Sequence, residues 1–512
     1  MAEKNMMIPA EKFTFVQKDA VIKDKKLETK ARSYMADAWI RFKKNKSSVV
    51  AAIILLILVL YAFIVPLVSP YKVADKDPDK RYVSFPPFVR SVADQNRGIL
   101  DGAIQITSIN EVGYQRLLAM GEETGMNPVI RITGMTTTQE KQRGKMVDVH
   151  FYSLEVNAYY QIGIVYRVLS YNEYERIQAW QKETGIQVIY PWVESKDIKN
   201  IEDPNIWYTV SDNKGTAKLD KQGNRVPAYS SNAAIEGAPY DSIRVPSDDG
   251  SYIYSIHKSG AVQVRMNYYN YTIFVTGHHP DHLFGVTSKC EDLMTAIGVG
   301  ARFSLVFAIC VSLINLTIGA VYGAIQGYYG GNIDLFLDRI SDILSGLPFT
   351  VCVVLFQYHM AGTKFGVIGA FLLAFVVTGW IGMAHLTRRQ FYRFKSQEYI
   401  LAARTLGASD KRLIFKHIFP NAIGSIITSC ALVIPSVISS ETSLTYLGIV
   451  NVSREFGASL GDLLSTGQTF CQKYPFALFF PALYFSLLLI SFNLFGNGLR
   501  DAFNPSNRGL ED

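Results

Sequence analysis

Few stretches of this chain combine residue types and spacings that could do chemistry. The first runs from Glu398 to Pro420, a polar and basic island between two long apolar segments. It reads Glu398-Tyr-Ile-Leu-Ala-Ala-Arg-Thr-Leu-Gly407 and continues to His417-Ile-Phe-Pro420. Its small residues Ala402, Ala403 and Ala408 would let another protein's groove approach the backbone closely. Gly407 would supply a turn that a side chain would obstruct, and Pro420 would help end the loop before the next apolar run. That is mechanical docking rather than bond making. The second candidate is Glu441, an ionisable group near the end of an apolar run. Its cost there makes it a pathway or gate candidate, set against a structural hydrogen bond. The third, His278-His279-Pro-Asp281-His282, holds metal-ligand residue types. Bunched loop histidines are more often simply solvated, so no metal site is assigned. A nucleotide-phosphate loop would need Gly, four residues, Gly-Lys and Ser/Thr. Gly144-Lys145-Met146 lacks both the first Gly and the hydroxyl residue. No catalytic set remains, and the chain is read as non-enzymatic, with no cofactor of its own.

The elements that hold these residues are mostly apolar runs. Six are long or apolar enough to be candidate membrane spans, at roughly 48–68, 302–326, 347–360, 365–386, 422–447 and 475–496. The third is short and polar-flanked. The first 45 residues are polar and charged, and the first run is too long for a signal-peptide core. Lys and Arg are unevenly placed. Arg32, Arg41, Lys43, Lys44 and Lys46 precede the first run. Arg388, Arg389, Arg393, Lys395, Arg404, Lys411, Arg412 and Lys416 fall in 387–420, and Arg500 and Arg508 lie in the tail. With six spans these segments share one side. The expected order is a cytoplasmic segment at 1–46, a first span at 47–70, an extracytoplasmic domain at 72–285, five further spans within 290–500 and a cytoplasmic tail at 501–512. The net charge of +7 then reflects topology and not nucleic-acid binding. A bacterial plasma membrane with both termini cytoplasmic is the expected location.

Residues 72–285 are hydrophilic, Tyr-rich and long enough for a core of their own. All five cysteines (Cys290, Cys310, Cys352, Cys430 and Cys471) fall beyond this segment, so no disulfide framework supports it. An internal echo runs through it. Tyr114-Gln-Arg116 leads to Glu123-Thr-Gly125, and Tyr174-Glu-Arg176 leads to Glu183-Thr-Gly185. Each copy follows Ser-x-Asn-Glu, ends at Gly and precedes a β-rich run. Two strand–helix–strand units in an α+β domain are expected. Residues 211–227 read as an exposed loop, and 251–258 with 261–276, split by Lys258-Ser-Gly260, as a hairpin. Tyr159, Tyr160, Tyr166, Tyr268 and Tyr269 would either build a β core or stack on a peptide or sugar.

The layout of 398–420 resembles the EAA loop of binding-protein-dependent ABC importers, the permease segment that docks into a separate ATPase. Further motifs sharpen the resemblance to C-type permease subunits of oligopeptide and dipeptide importers. They are Arg41-Phe-Lys-Lys-Asn-Lys46, His282-Leu-Phe-Gly285 with Asp292 and Gly300-Ala-Arg302, Gly327-Tyr-Tyr-Gly-Gly331, and Asp338-Arg339-Ile-Ser-Asp342 through Pro348. Glu441-Thr-Ser-Leu-Thr-Tyr-Leu-Gly448 and Phe492-Asn-Leu-Phe-Gly496-Asn-Gly-Leu-Arg-Asp501 complete the set. The resemblance covers about 30–70 and 282–505. It implies a polytopic all-α permease of type I with six helices, ATPase coupling through Ala402, Ala403, Arg404, Gly407, Ala408 and Pro420, and short peptides as cargo. Nickel complexes or glycosides are alternative cargoes in the same pattern, and an ectodomain sensor or scaffold is a reading from another class. Implied partners are a homologous second permease, two ATPase subunits carrying ATP and Mg, an extracytoplasmic binding protein and the bilayer. The chain departs from the family at Leu401, where the loop's name expects Glu, and at His417. Thr287, Cys290 and Glu291 stand where Asp, Gly and Arg are usual, and the family pattern does not account for 72–285.

Overall fold

A computed structural model describes residues 34–72, 79–94, 97–142, 145–229, 244–246, 252–254, 261–360, 363 and 366–503. Arg32, Gly144, Lys258–Gly260, Arg508 and the tail beyond Phe503 lie outside the described residues. Helix α1 (Tyr34–Lys44) leads into α2 (Lys46–Val68), where the Asn45 side chain caps the Ser48 amide. At 1.5 Å per residue α2 is about 35 Å long, enough to cross a bilayer's hydrocarbon core.

Residues 69–292 then fold at the far end of α2. A first unit consists of β1 (Ala103–Asn110), α3 (Glu111–Thr124), β2 (Val129–Gln142) and β3 (Lys145–Asn157). A second has β4 (Ile164–Ser170), α4 (Tyr171–Thr184), β5 (Ile189–Tyr190) and, after a short ladder of β6 (Arg244–Pro246) and β7 (Tyr252–Tyr254), β8 (Ala261–Asn267). Both sheets are antiparallel and place the last strand in the middle, β1-β3-β2 and β4-β8-β5. Local chemistry repeats as well. Asn110 and Ser170 cap the two helices with their side chains, and Gly125 (φ +71) and Gly185 (φ +72) close them in the left-handed conformation that glycine tolerates. Asn157 and Asn267 end the central strands and cap the turns that follow, the second being α5 (Tyr268–Thr276).

One sequence expectation fails here. β8 pairs with β4 and β5, while β7 pairs with β6, so 251–258 and 261–276 form no hairpin. The alternating pattern of 261–267 was answered by more distant strands, and 268–276 is helical because Asn267 starts a helix. Residues 211–227 are a mostly exposed loop, as expected, and an ordered one. Bridges Tyr208↔Pro227, Val210↔Ala217 and Leu219↔Arg225 hold them, with Asp212 and Asp220 each accepting backbone amides in tight turns. The core is built of phenol rings: Tyr82, Tyr159, Tyr174, Tyr268, Tyr269 and Tyr271 are buried. Burial pushes the Tyr159 hydroxyl well above its ordinary range, and it donates to the Pro86 carbonyl at 3.0 Å. Of the tyrosines considered for ligand stacking, Tyr159, Tyr268 and Tyr269 belong to this core, with Tyr160 and Tyr166 half-buried.

One ion pair joins the two units. Glu123 on α3 takes both terminal nitrogens of Arg265 on β8 at 2.9 Å, and Arg265 also donates to the Pro191 and Pro204 carbonyls. Both side chains are almost wholly buried.

The remaining elements are helices. These are α6 (Leu293–Tyr329), α7 (Gly331–Ser345), α8 (Phe349–Met360), α9 (Gly366–Gly379), α10 (Ile381–Lys395), α11 (Glu398–Thr405) and α12 (Asp410–Arg412). A π-helical turn at Leu413–Ile418 follows, then α13 (Phe419–Tyr446), α14 (Ser453–Phe456), α15 (Leu460–Phe470) and α16 (Phe476–Phe503). Among the described residues five segments are long and apolar enough to cross a membrane, and α7–α8 counts as a sixth only if its halves, bent by 76°, form one broken span. The expected third span at 347–360 is thus only the twelve-residue α8, too short to cross alone.

Packing decides the matter. The Phe307 ring stacks on Phe371 at 4.9 Å, and Gly319, Gly323 and Gly327 lie against Trp380, Ala384 and Arg388. Positions rise together along both partners, so α6 runs parallel to α9–α10. The chain between them must therefore return across the bundle, and α7–α8 is that crossing. α2 and α16 are antiparallel, through Ser48 to the Leu494 carbonyl and Tyr484 to the Leu58 carbonyl. Tyr61 meets Met294 at the start of α6. Lys46, Tyr329, Lys395 and Phe503 consequently share one end of the bundle, with 69–292 at the other.

Arg265→Met should destabilise the 79–292 region by about 3–5 kcal/mol, because it strands a buried carboxylate. Adding Glu123→Leu should restore part of the loss. Thermal unfolding of the full chain, followed by fluorescence of Trp180, Trp192 and Trp207 in that region, checks both.

Candidate functional site

At the basic end of the bundle, α10, α11, α12 and the π-helical turn form an elbow. Its anchor is Ile400, fully buried with Phe391, Leu413 and Ile418. The helix then stops in a defined way. The Gly407 amide donates to the Arg404 carbonyl at 3.0 Å and the Ala408 amide to the Ala403 carbonyl at 3.1 Å. This is a Schellman cap, and Ala403 and Ala408 pack side by side on the elbow's core as its apolar pair. Gly407 takes φ +81, and a Cβ there would meet nothing within 4 Å. The expectation that a side chain would obstruct the turn is therefore corrected: the constraint is the left-handed backbone, not lack of room.

Of the three small residues only Ala402 is exposed, Ala403 and Ala408 being half-buried against the elbow's core, and large apolar residues surround it. Leu401, Tyr399 and Phe415 project beside it, with Leu406 88% exposed at the tip. Arg404 donates to the Tyr328 hydroxyl at 3.3 Å, Tyr328 donates to Asp410, and Lys395 reaches the Tyr328 carbonyl at 3.1 Å. The elbow is thereby tied to the end of α6. Pro420 stands in the first turn of α13, directly after the π-helical turn. The π-helical turn just before it places Phe415 outward and Leu413 and Ile418 inward.

Behind the elbow, α6 and α10 meet backbone to backbone. A Cβ on Gly319 would lie 2.7 Å from the Trp380 carbonyl oxygen and one on Gly327 2.7 Å from that of Arg388; one on Gly323 would collide with the Ala384 carbonyl. Arg388 also clamps α7, bonding Asp338 at 2.9 Å and Asp334 at 2.6 Å. Sequence reasoning missed this. Its signal was available as glycine at every fourth position, the small-xxx-small pattern of close helix pairs. Tyr328, Ile400, Leu406 and Asp410 were also missed, and only a contact map could have found them.

Glu441 stands apart from the elbow, towards the opposite end of α13. It is fully buried and accepts from Ser304 Oγ of α6 at 2.6 Å and from Thr442 at 3.2 Å. The geometry is a helix-to-helix hydrogen bond, with one carboxylate oxygen unpartnered among the described residues. The three histidines diverge. His282 bonds Asp292 at 3.0 Å, His279 faces Arg90 and His278 lies against the Tyr71 ring. Burial and Arg90 hold the His279 imidazole below its ordinary value. Among the described residues no group of three or more His, Cys, Asp or Glu side chains is arranged to hold a metal ion. Nearby, Cys290 takes φ +62, the left-handed conformation suited to the glycine usual at that position.

Gly323→Ala should lower stability by roughly 1–3 kcal/mol by forcing α6 and α10 apart. Gly382→Ala on the same helix pair, where a Cβ meets nothing within 4 Å, should not. Melting temperatures of both variants in detergent are the check.

Comparison with known proteins bears on these elements. Residues 299–509 match the model of the "Binding-protein-dependent transport system inner membrane component" family, and residues 33–87 match the "N-terminal TM domain of oligopeptide transport permease C". Residues 88–298 lie between the two. The oligopeptide transport system permease protein OppC of Bacillus subtilis is 40% identical over 228 residues, covering 44% of this chain and 73% of that protein. The dipeptide transport system permease protein DppC of the same organism is 38% identical, covering 44% and 70%. Oligopeptide permease OppC of Escherichia coli is 36% identical, covering 44% and 73%.

Proposed function

Because the chain belongs to the binding-protein-dependent transport permeases of the oligopeptide and dipeptide type, we propose that its elbow is where separate ATPase subunits drive it. It is a peptide-importing permease subunit, a transport component and not an enzyme. The observation that carries the coupling reading is the elbow's construction: a helix fixed by Ile400 and a Schellman cap, yet presenting Leu401, Ala402 and Leu406 outward. ATP and Mg belong to two partner ATPase chains. Their closure displaces α11, and Arg404, Tyr328 and Asp410 pass the displacement to α6. Since α6 and α10 touch through backbone, they move as one body, and α7–α8 yields at its bend. Ala402, Ala403, Arg404, Gly407, Ala408 and Pro420 serve this coupling, whereas Glu441 holds α13 to α6 near the opposite mouth.

Lys46, Arg388, Arg389, Arg393, Lys395, Arg404, Lys411, Arg412, Lys416 and Arg500 cluster at the elbow end, which supports a cytoplasmic assignment for it and for both termini. Residues 72–285 are then an extracytoplasmic α+β domain. It receives the peptide-binding protein beside a second, homologous permease. Support for a separable domain comes from its neck: Phe88 bridges His282, and the Arg90 amide donates to Asp281 at 3.1 Å.

Leu406→Asp should abolish co-purification of ATPase subunits from native membranes while leaving the chain folded, since the side chain is solvent-facing. Retained ATPase would remove the elbow as the docking point. Replacing 91–280 by a short Gly-Ser link across the neck should keep ATPase assembly and sharply reduce capture of the binding protein in pull-downs. Undiminished capture would refute the receiving role.

A further inference from the structure

A cleft remote from the elbow is lined by an arginine that has no partner among the described residues. It has a volume of about 380 Å³ and lies between the outer parts of α2, α6 and α9, closed at the top by α14. Phe63, Phe303, Val306, Phe307 and Leu372 form its walls, with Arg302 beside them. The Phe303 ring meets the Phe456 ring at a 40° tilt with centroids 4.8 Å apart, which fixes the upper wall. Among the described residues Arg302 makes no hydrogen bond, ion pair or ring contact. Arg388, by contrast, is engaged by Asp334 and Asp338, and Arg404 by Tyr328. An unpaired guanidinium against a phenylalanine-lined wall is costly unless an anion reaches it.

Position narrows the anion. Arg302 stands nine residues into the 37-residue α6 and is the one charged residue of that helix; it lies about 40 Å from the other end at Tyr329, a separation that puts it at headgroup level when Tyr329 sits in the opposite interface. Helical side chains lean toward the N-terminus, which turns this guanidinium toward the polar side. Below it the cleft continues to Cys310, eight residues or about 12 Å deeper. It stays apolar and open to the surroundings along Val306 and Cys310, both exposed. A cation at headgroup level above an apolar slot is complementary to one kind of molecule.

We infer that this cleft binds an anionic phospholipid from the leaflet on the side of residues 69–292, its phosphate on Arg302 and an acyl chain between Phe63, Phe303, Phe307 and Leu372. Guanidinium suits the phosphate because it offers paired donors in a plane. The lipid joins α2 to α6 and α9, helices that meet little protein on this face, and so sets the spacing of the outer mouth. The inference rests on the membrane-spanning reading alone and is independent of which subunits dock at the elbow.

Native mass spectrometry of the detergent-solubilised full chain, titrated with phosphatidylglycerol and separately with phosphatidylcholine, tests it. One phosphatidylglycerol should bind in preference to phosphatidylcholine. Arg302→Gln should weaken it about tenfold or more, and Arg302→Lys, which keeps the charge and controls for folding, should weaken it less. Val306→Trp, which fills the slot from an exposed position, should weaken it as much as the glutamine variant. Glycerophosphoglycerol, the headgroup without chains, should fail to compete. Equal binding of the two lipids, or undiminished binding by Arg302→Gln, would overturn the inference. Displacement of the lipid by trialanine but not by its C-terminal amide would overturn it in favour of a contact with the cargo's carboxylate.

Discussion

The contact between α6 and α10 sets the terms for everything around it. In lipid, apolar side chains gain little by leaving one hydrocarbon environment for another, so helices associate through close packing and polar contacts. Gly319, Gly323 and Gly327 remove the side chains that would hold the two backbones apart. Because the two helices run in the same direction, the chain linking them has to traverse the bundle again. That obligation explains α7–α8, a pair with a sharp bend at Gly346-Leu-Pro348. Proline cannot continue the preceding helix's hydrogen bonds. The Arg388 clamp on Asp334 and Asp338 secures the first half of the bent pair to α10. The elbow follows directly from the end of the same helix.

The two halves of the molecule solve the burial problem with different materials. The helical bundle relies on small residues and rings such as Phe307, Phe371 and Phe375. The 79–292 region relies on tyrosines whose hydroxyls find partners at the edges of the core: Tyr159 on Pro86, Tyr271 on Glu173 and Tyr229 on Glu123. A phenol brings a large apolar area and a polar tip that must be satisfied. A core made this way is specified by its hydrogen bonds as much as by its volume.

What the sequence reveals depends on whether the signal is local. The long apolar runs, the Gly that closes α11, the Asn and Ser that open α3 and α4, and the uneven Lys and Arg are all local, and the helices and the elbow could be read from them. Helix α6 (Leu293–Tyr329) runs past the apolar stretch read as a span at 302–326, because nothing in an apolar run marks where a helix that leaves the hydrocarbon must end. The partner of β8 was misread because β4 and β5 lie far away in sequence and the adjacent β7 offered a nearer strand. Glu441 could be recognised as an expensive residue, but only its distance to Ser304 shows that the expense is met by a helix contact. Ile400 and Tyr328 look like any other apolar and aromatic residues until the elbow is assembled around them.

The bond between Glu123 and Arg265 makes the two units dependent on each other. The two sheets share an order of elements, yet each contributes only half of this pair: the position matching Arg265 before the closing Asn of β3 is Glu155, which pairs instead with Arg131 at the surface. Neither unit can be discarded without leaving an ion stranded in the interior of the other. The connection between β5 and β8 and the exposed β2–β3 ribbon can change without touching this pair, whereas removing either unit requires the buried position to change first.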